Sequence, residues 1–305
     1  MHLVIAGCGY LGRALARLSL SCGAQVLGLC HSQRSAEELN AAGIPARTAD
    51  LGSADSLAEI ARDLPTGVCV VHSAASGRGG GVDAYRKVYL EGMKNLTQAF
   101  PGANRMLFTS STSVYPQIDG GWVTEASPAR PDRETGRLLR AAEDVSLAAG
   151  GAVVRLAGIY GPERSVLLRN FLTGESAIDV RTEPPATPDG RWVNQIHRED
   201  AAAALWHLLS VVPDDAFRGS IYNVADSTPL LQRPLYEELS RRFQLPVPPE
   251  AAPDNTRKRG WTHKRVDAAH LRATGWQPRF ASWFDALDYD PELVNSIKNS
   301  IIPAK

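Results

Sequence analysis

Near its amino end the chain reads "GCGYLG", Gly7 to Gly12, three glycines at the spacing of a turn that cradles a phosphate. Gly7 permits the tight turn, Gly9 lets the backbone approach a pyrophosphate, and Gly12 lets the next helix pack against the strand before it. Amides at Gly9, Tyr10 and Leu11 would then face the anion together with the positive end of that helix. The same letters without a preceding strand and a following helix would be turn glycines only. Further on, "LCHSQRS" ends the second apolar run with no acid at Cys30 or His31 to hold a ribose hydroxyl. His31, Ser32 and Arg34 suit a 2′-phosphate, which favours NADP over NAD; the alternative for His31 and Arg34 is a solvated surface. "ADL" (Ala49 to Leu51) and "HSAAS" (His72 to Ser76) close the third and fourth runs. Asp50, next to Leu51, could accept from an adenine amino group or cap the helix that starts in "DLGSADSL". Ser73, Ala74 and Ala75 are small enough for the backbone to pass close to a ligand.

These groups need a scaffold that brings them to one edge. "HLVIAG", the Leu/Ala spacing of Leu11 to Leu20, and "AQVLGLC" make a β-α-β unit. The alternation goes on through "GIPARTADL", "SADSLAEIARDL", "GVCVVHSAA", the long helical "DAYRKVYLEGMKNLTQAF", "NRMLFTSS" and "GGAVVRLAGIYG". Short apolar runs between amphipathic segments predict a parallel sheet with helices on both faces, so that Gly7, Asp50 and Ser73 lie outside the carboxyl ends of its strands. After Gly161 the alternation breaks into Pro- and Asp-rich pieces such as "RTEPPATPDGRW". The fold class expected is α/β: a Rossmann-type doubly wound parallel sheet over residues 1–160, with a small discontinuous C-terminal substrate lobe over 161–305. Within the latter, about 194–226 returns to the main sheet.

The 305 residues carry 33 basic and 33 acidic side chains, a balance that gives no electrostatic footprint for nucleic acid or an anionic membrane. No apolar run reaches membrane-span length and no signal segment opens the chain. Cys8, Cys22, Cys30 and Cys69 lack Cys-x-x-Cys spacing and read as buried thiols, with no metal site. A reducing cytoplasm and a small-molecule partner are expected.

The ordered blocks "GCGYLG", "ADL", "HSAA", "FTSSTSVYP", "RLAGIYGP", "IHREDAAAAL" and "YNVAD" resemble the extended short-chain dehydrogenase/reductases, the NAD-dependent epimerase/dehydratases. The resemblance implies that Ser111 of "SSTSVY" polarises a substrate oxygen. It also implies a Tyr-x-x-x-Lys pair on the next helix, the Tyr exchanging the proton and the Lys holding the nicotinamide ribose and lowering the Tyr pKa. Counting back from Glu143, which stands at the family's usual Glu, puts Leu139 at the Lys position and Thr135 at the Tyr position. No Tyr or Lys occurs between Pro116 and Ser146, so both groups are missing from that helix.

Substitutes have to come from elsewhere. Tyr115 is one candidate acid/base, against a packing role; Arg137 and Arg140 are candidates for anion contact, against ion pairs on a solvated face. The resemblance further implies that Gly158, Tyr160 and Gly161 shape the loop at the nicotinamide end. Asn194 and His197 would reach substrate, His197 alternatively being structural, and Asp200 would tether the lobe. Pairing into a homodimer through Asp83–Phe100 and Thr135–Ala149 is also implied, although the same apolar stripe would serve as core.

Two functions follow from the sequence. The first is an NAD(P)-dependent oxidoreductase or epimerase on a small polar or sugar-nucleotide-like substrate, using non-standard catalytic residues. The second is a catalytically inactive NAD(P)-binding regulatory or sensor protein, since fold does not establish reaction.

Overall fold

The computed structural model describes residues 1–77, 79–254, 256 and 260–301. Its first part alternates as the apolar runs require: β1 (His2–Ala6), α1 (Tyr10–Ser21), β2 (Gln25–Cys30), α2 (Gln33–Ala41), β3 (Ala46–Thr48), α3 (Ala54–Arg62), β4 (Cys69–His72), α4 (Val82–Tyr85), α5 (Gly92–Ala99) and β5 (Arg105–Ser111). The middle holds β6 (Trp122–Val123), α6 (Glu134–Ala148), β7 (Ala152–Leu156), β8 (Gly158–Tyr160), α7 (Val166–Leu172), β9 (Ile178–Asp179), β10 (Trp192–Val193), β11 (Gln195–His197), α8 (Arg198–Ser210), α9 (Asp214–Phe217) and β12 (Ile221–Val224). Last come β13 (Leu230–Leu231), α10 (Gln232–Phe243), β14 (Glu250–Ala251), β15 (Arg265–Val266), α11 (Ala269–Arg272), α12 (Trp283–Tyr289) and α13 (Pro291–Ile301).

Seven strands make one sheet in the order β12-β7-β5-β4-β1-β2-β3, with β1–β2, β1–β4, β2–β3 and β4–β5 paired in parallel. This is a Rossmann-type doubly wound α/β sheet. Its strands read as apolar runs rather than alternating ones because both faces are covered: every residue of β4 is buried, and all of β5 after Arg105. The strand order reverses between β1 and β4, and ligands in such sheets bind at that switch point.

The chain divides into two compact units, one of Met1–Val114, Ala129–Arg155 and Ala201–Tyr222, the other of Tyr115–Pro128, Leu156–Asp200 and Asn223–Lys305. The sequence drew its boundary at 160 and its return at 194–226. In the structure the cut falls after Arg155, the return is shorter, and residues 115–128 group with the second unit. The reason is the two-residue strand β6, which pairs in parallel with β15 far down the chain. The second unit builds its own core from Leu168, Phe171, Ile178, Leu235, Leu239, Trp283 and Leu293 on α7, β9, α10, α12 and α13.

The helix expected from Asp83 to Phe100 is interrupted. Between α4 and α5 the residues Arg86–Glu91 wind as a π-helix. There the Nε2–H of His72 donates to the Val88 carbonyl at 2.8 Å and Lys87 reaches Asp50 at 2.9 Å, so two side chains from the sheet edge engage the widened turn. His72 is buried against Tyr89 and Phe108, and burial holds its imidazole neutral, with the pKa down at about 4. The unfolded chain, titrating at about 6.5, therefore binds more protons than the folded one between these values, and stability falls as pH drops from 6.5 towards 4. The loss should reach about 3 kcal/mol. Urea midpoints of wild type and His72→Asn at pH 7 and pH 4.5 check this, the variant losing the larger part of the pH slope.

One thiol departs from expectation. Cys8, Cys30 and Cys69 are buried, but Cys22 is exposed because it stands at the C-cap of α1, past the helix's buried face. Among the described residues no helix is long and apolar enough to cross a membrane.

Candidate coenzyme and active site

The first unit holds the glycine turn as the sequence placed it, between β1 and α1. Gly7 has φ +90°, and a Cβ there would overlap the backbone of Ala74. A Cβ on Gly12 would lie 2.7 Å from the Gly7 carbonyl and 3.1 Å from Ile5 Cγ2, so this glycine lets helix and strand touch. Gly9 differs: a Cβ there would meet nothing within 4 Å, so the space above it is open. Gly9 is the N-cap of α1, with no side-chain cap and no acid in the first turn, and the positive end of a 12-residue helix is left without a counter-group of its own. Ser73, following β4, gives its amide to Ala6 at 2.7 Å, while its buried hydroxyl has no partner among the described residues. An open glycine, an uncapped helix and an orphaned hydroxyl fit the diphosphate and ribose of a dinucleotide.

At the far end of β2, Ser32 is the N-cap of α2 and accepts from Ser35 at 3.2 Å. Arg34 is exposed and bonds Glu38 at 3.0 Å, and His31 is exposed. Asp50 does not cap α3; Ser53 does. Its carboxylate instead takes Lys87 and the Gly52 amide, each at 2.9 Å, and the Lys87 ammonium holds its pKa below the usual carboxylate range. The Leu51 carbonyl is held by Asn95 at 2.8 Å.

At the end of β5, Ser111 is buried and its Oγ accepts from the Ser113 amide at 3.2 Å. The helix that follows, α6, carries Thr135 at a half-buried position, and Leu139, at the place the resemblance reserves for Lys, is 2 % exposed. Arg137 bonds the Asp132 carbonyl at 2.6 Å. Arg140 is bound up in ion pairs with Glu143 and Asp144. Glu143 itself is fully buried; it accepts from Ser110 and pairs with Arg155, 2 % exposed, at 2.7 Å. Sequence reasoning missed Arg155 because it sits inside the apolar strand "AVVRL".

In the second unit Tyr115 is fully buried, its hydroxyl donating to Asn223 Oδ1 at 2.9 Å. A Cβ on Gly158 of β8 would stand 2.9 Å from Gln195 Nε2 and 3.2 Å from the Asn194 carbonyl oxygen, so the glutamine side chain would have to give way. Tyr160 packs in the core beside His197 and Trp283; its hydroxyl has no partner among the described residues and burial pushes its pKa up, with Asp226 adding to this. Asn194 spends both ends of its amide on backbone, donating to the Lys264 carbonyl at 2.9 Å and accepting from the Val266 amide at 2.7 Å. His197 accepts from the Glu199 amide through Nδ1 at 3.3 Å and donates from Nε2 to Asp290 at 3.1 Å; burial lowers its pKa in spite of the acids around it. This is the structural alternative for that histidine. Asp200 accepts from the Arg279 and Phe280 amides at 2.7 and 3.1 Å, tying α8 to the segment before α12. Among the described residues no cluster of His, Cys, Asp and Glu could hold a metal ion.

Residues 3–225 match the model of the NAD dependent epimerase/dehydratase family. The chain belongs to that family. Protein YeeZ of Escherichia coli K12 is 29% identical over 260 residues, covering 81% of this chain and 85% of its own. UDP-glucose 4-epimerase of Streptomyces lividans is 24% identical over 321 residues, covering 90% and 95%. The UDP-glucose 4-epimerase of Thermus thermophilus, solved with NAD, superposes with a TM-score of 0.79 at 20% identity over 98% of this chain and all of its own. Family membership sharpens the contrast within α6: a helix where the resemblance implies Tyr and Lys carries Thr135 and a buried leucine.

Proposed function

We propose that the chain binds a nicotinamide dinucleotide, NADP in preference to NAD, and carries out oxidoreduction or epimerisation on a small polar, sugar-nucleotide-like substrate with residues other than Tyr-x-x-x-Lys. The observation that carries this reading is the open Gly9 over the uncapped end of α1, beside the orphaned Ser73 hydroxyl. Backbone amides of Gly9, Tyr10 and Leu11 would hold the diphosphate, and Ser73 and Asp50 would hold the ribose and adenine ends. The absence of an acid at Cys30 and His31 supports the 2′-phosphate form. The bound coenzyme supplies hydride exchange at a substrate carbon. Ser111, at the carboxyl end of β5, would donate a hydrogen bond to the substrate oxygen as charge grows on it. A cytoplasmic location is part of the proposal, supported by four unbridged cysteines.

The buried Leu139 favours a second reading, a binding or sensor protein without turnover. Titration with NADPH and NADH by thermal shift, followed by turnover on a panel of UDP- and dTDP-sugars, separates the two. The expected result is tighter binding of NADPH, turnover of at least one sugar nucleotide, and a fall of about 10²-fold or more in Ser111→Ala with coenzyme affinity unchanged. Binding without turnover, unaltered in Ser111→Ala, would establish the sensor. No binding of either coenzyme would end both readings.

A further inference from the structure

Arg13 completes the first turn of α1, its amide donating to the Gly9 carbonyl at 2.8 Å. Its guanidinium reaches one oxygen of Glu38 on α2 at 3.4 Å. Arg34, also on α2, reaches the other oxygen of that carboxylate at 3.0 Å. Two cations from different helices of the first unit thus close on one acid. Burial raises the pKa of the Cys8 and Cys30 thiols, and the Arg13 charge works against it at both, which puts the guanidinium beside the glycine turn and the last residue of β2 together. In a dinucleotide-binding sheet the end of the second strand is where the adenosine ribose is read.

The fold gains little from these contacts. The Arg13, Arg34 and Glu38 side chains are 39, 88 and 48 % exposed, and ion pairs so open to water contribute little to stability. Arg34 also precedes Glu38 by four residues, the order that opposes the helix dipole and is the weaker of the two. The carboxylate can therefore leave at small cost. Glu37, one residue earlier, bonds Gln33 instead at 3.0 Å. Ser32 spends its hydroxyl on Ser35, donating to its Oγ at 2.9 Å and accepting from its amide at 3.2 Å. What this corner offers an anion is the pair of guanidiniums that Glu38 now holds.

We propose that Glu38 is a resident counter-anion of the coenzyme's 2′-phosphate site, held by Arg13 and Arg34 in the free protein and displaced when that phosphate takes both guanidiniums. The proposal rests on the NADP-binding reading above and adds to it a second cation, Arg13, and a competitor that sets how far NADP is preferred over NAD. A phosphate monoester brings about 1.5 to 2 negative charges and three acceptor oxygens at neutral pH, against one charge and two oxygens on a carboxylate. Two guanidinium forks can satisfy it together. NAD brings only a hydroxyl to this corner, which cannot replace a carboxylate between two cations, so Glu38 stays in place and does not oppose NAD.

Calorimetric titration of the full-length protein with NADPH, NADH and, as a probe of this corner, 2′,5′-ADP decides it. Glu38→Gln should tighten NADPH and 2′,5′-ADP about three- to tenfold, the effect of releasing two exposed ion pairs, and leave NADH within about twofold. Arg13→Gln should weaken NADPH about tenfold or more, as loss of a charge-assisted bond to phosphate does, with NADH again within about twofold. Glu37→Gln removes the same charge one residue away and should leave every ligand unchanged, which separates direct competition from the general field of an acid. In Arg13→Gln/Arg34→Gln the further change Glu38→Gln should gain nothing, since no guanidinium is left to release. Unchanged NADPH affinity in Glu38→Gln, equal tightening of NADH, the same gain in Glu37→Gln, or a gain that survives loss of both arginines overturns the proposal. The reading beneath it fails differently. Equal binding of NADPH and NADH to wild type, with the Glu38→Gln shift still present, would remove the NADP preference and keep the competitor; binding of neither coenzyme nor of 2′,5′-ADP to any variant would remove both.

Discussion

Gly9→Ala is expected to leave the protein folded and to weaken NADPH binding about 100-fold, or about 2.7 kcal/mol. Gly7→Ala is expected to lose binding and stability together. The two glycines stand two residues apart in the same turn, but their surroundings differ. At Gly9 the backbone has φ −88°, outside the left-handed region, and the new methyl would meet no protein atom. It would occupy the space over the first-turn amides of α1, where the diphosphate must come within hydrogen-bond distance. The fold loses only what a helix loses when Ala replaces Gly at its N-cap, up to about 1 kcal/mol. At Gly7 the methyl collides with the Ala74 backbone at φ +90°, so left-handed strain adds to overpacking and a loss of about 3 kcal/mol follows. Calorimetric titration with NADPH and urea unfolding of both variants give four numbers. Wild-type affinity in Gly9→Ala would mean that no diphosphate lies over this helix.

The first unit was legible because its information is local. Each βα turn of the sheet lies between a buried run and an amphipathic one, and Gly7, Gly9 and Gly12 declare themselves by spacing alone. What stayed hidden depends on partners distant in sequence. Asp50 reads as an adenine acceptor or a helix cap, and nothing in its own stretch shows that Lys87, from the π-turn, reaches it. Arg155 is a charged residue in an apolar strand and has no sequence reason until Glu143 appears beside it. The second unit is less legible still. Its strands β6, β9, β10, β13, β14 and β15 are two residues long, too short for any period to register, and their pairings join far-apart segments. Asn194 therefore looked available to substrate while both ends of its amide serve the strand next to Lys264.

Glu143→Ala should cost about 3–5 kcal/mol, measured as a fall in the urea midpoint by circular dichroism. The carboxylate is fully buried between Ser110 on β5, Arg155 on β7 and Arg140 one turn earlier on α6. Removing it leaves the Arg155 guanidinium, 2 % exposed, without the charge that neutralises it, and such a group cannot relax into water as a surface arginine would. Arg140 is different: it keeps Asp144 at 2.6 Å and lies nearer solvent, so Arg140→Ala should cost about 1 kcal/mol or less. If the buried pair is what matters, the double variant Glu143→Met/Arg155→Met should be more stable than either single variant, because two apolar side chains of similar reach replace two charges that need each other. Additive losses would mean that the charges do not depend on one another. The double variant also tests the edge of the sheet where the proposed function places Ser111. It restores packing but not the bond from the Ser110 hydroxyl to Glu143, so β5 should stay folded while Ser111, the next residue, loses a fixed neighbour. Under the proposed function, turnover should then fall in both Glu143→Ala and the double variant, and coenzyme affinity, which that function assigns to Gly9, should not.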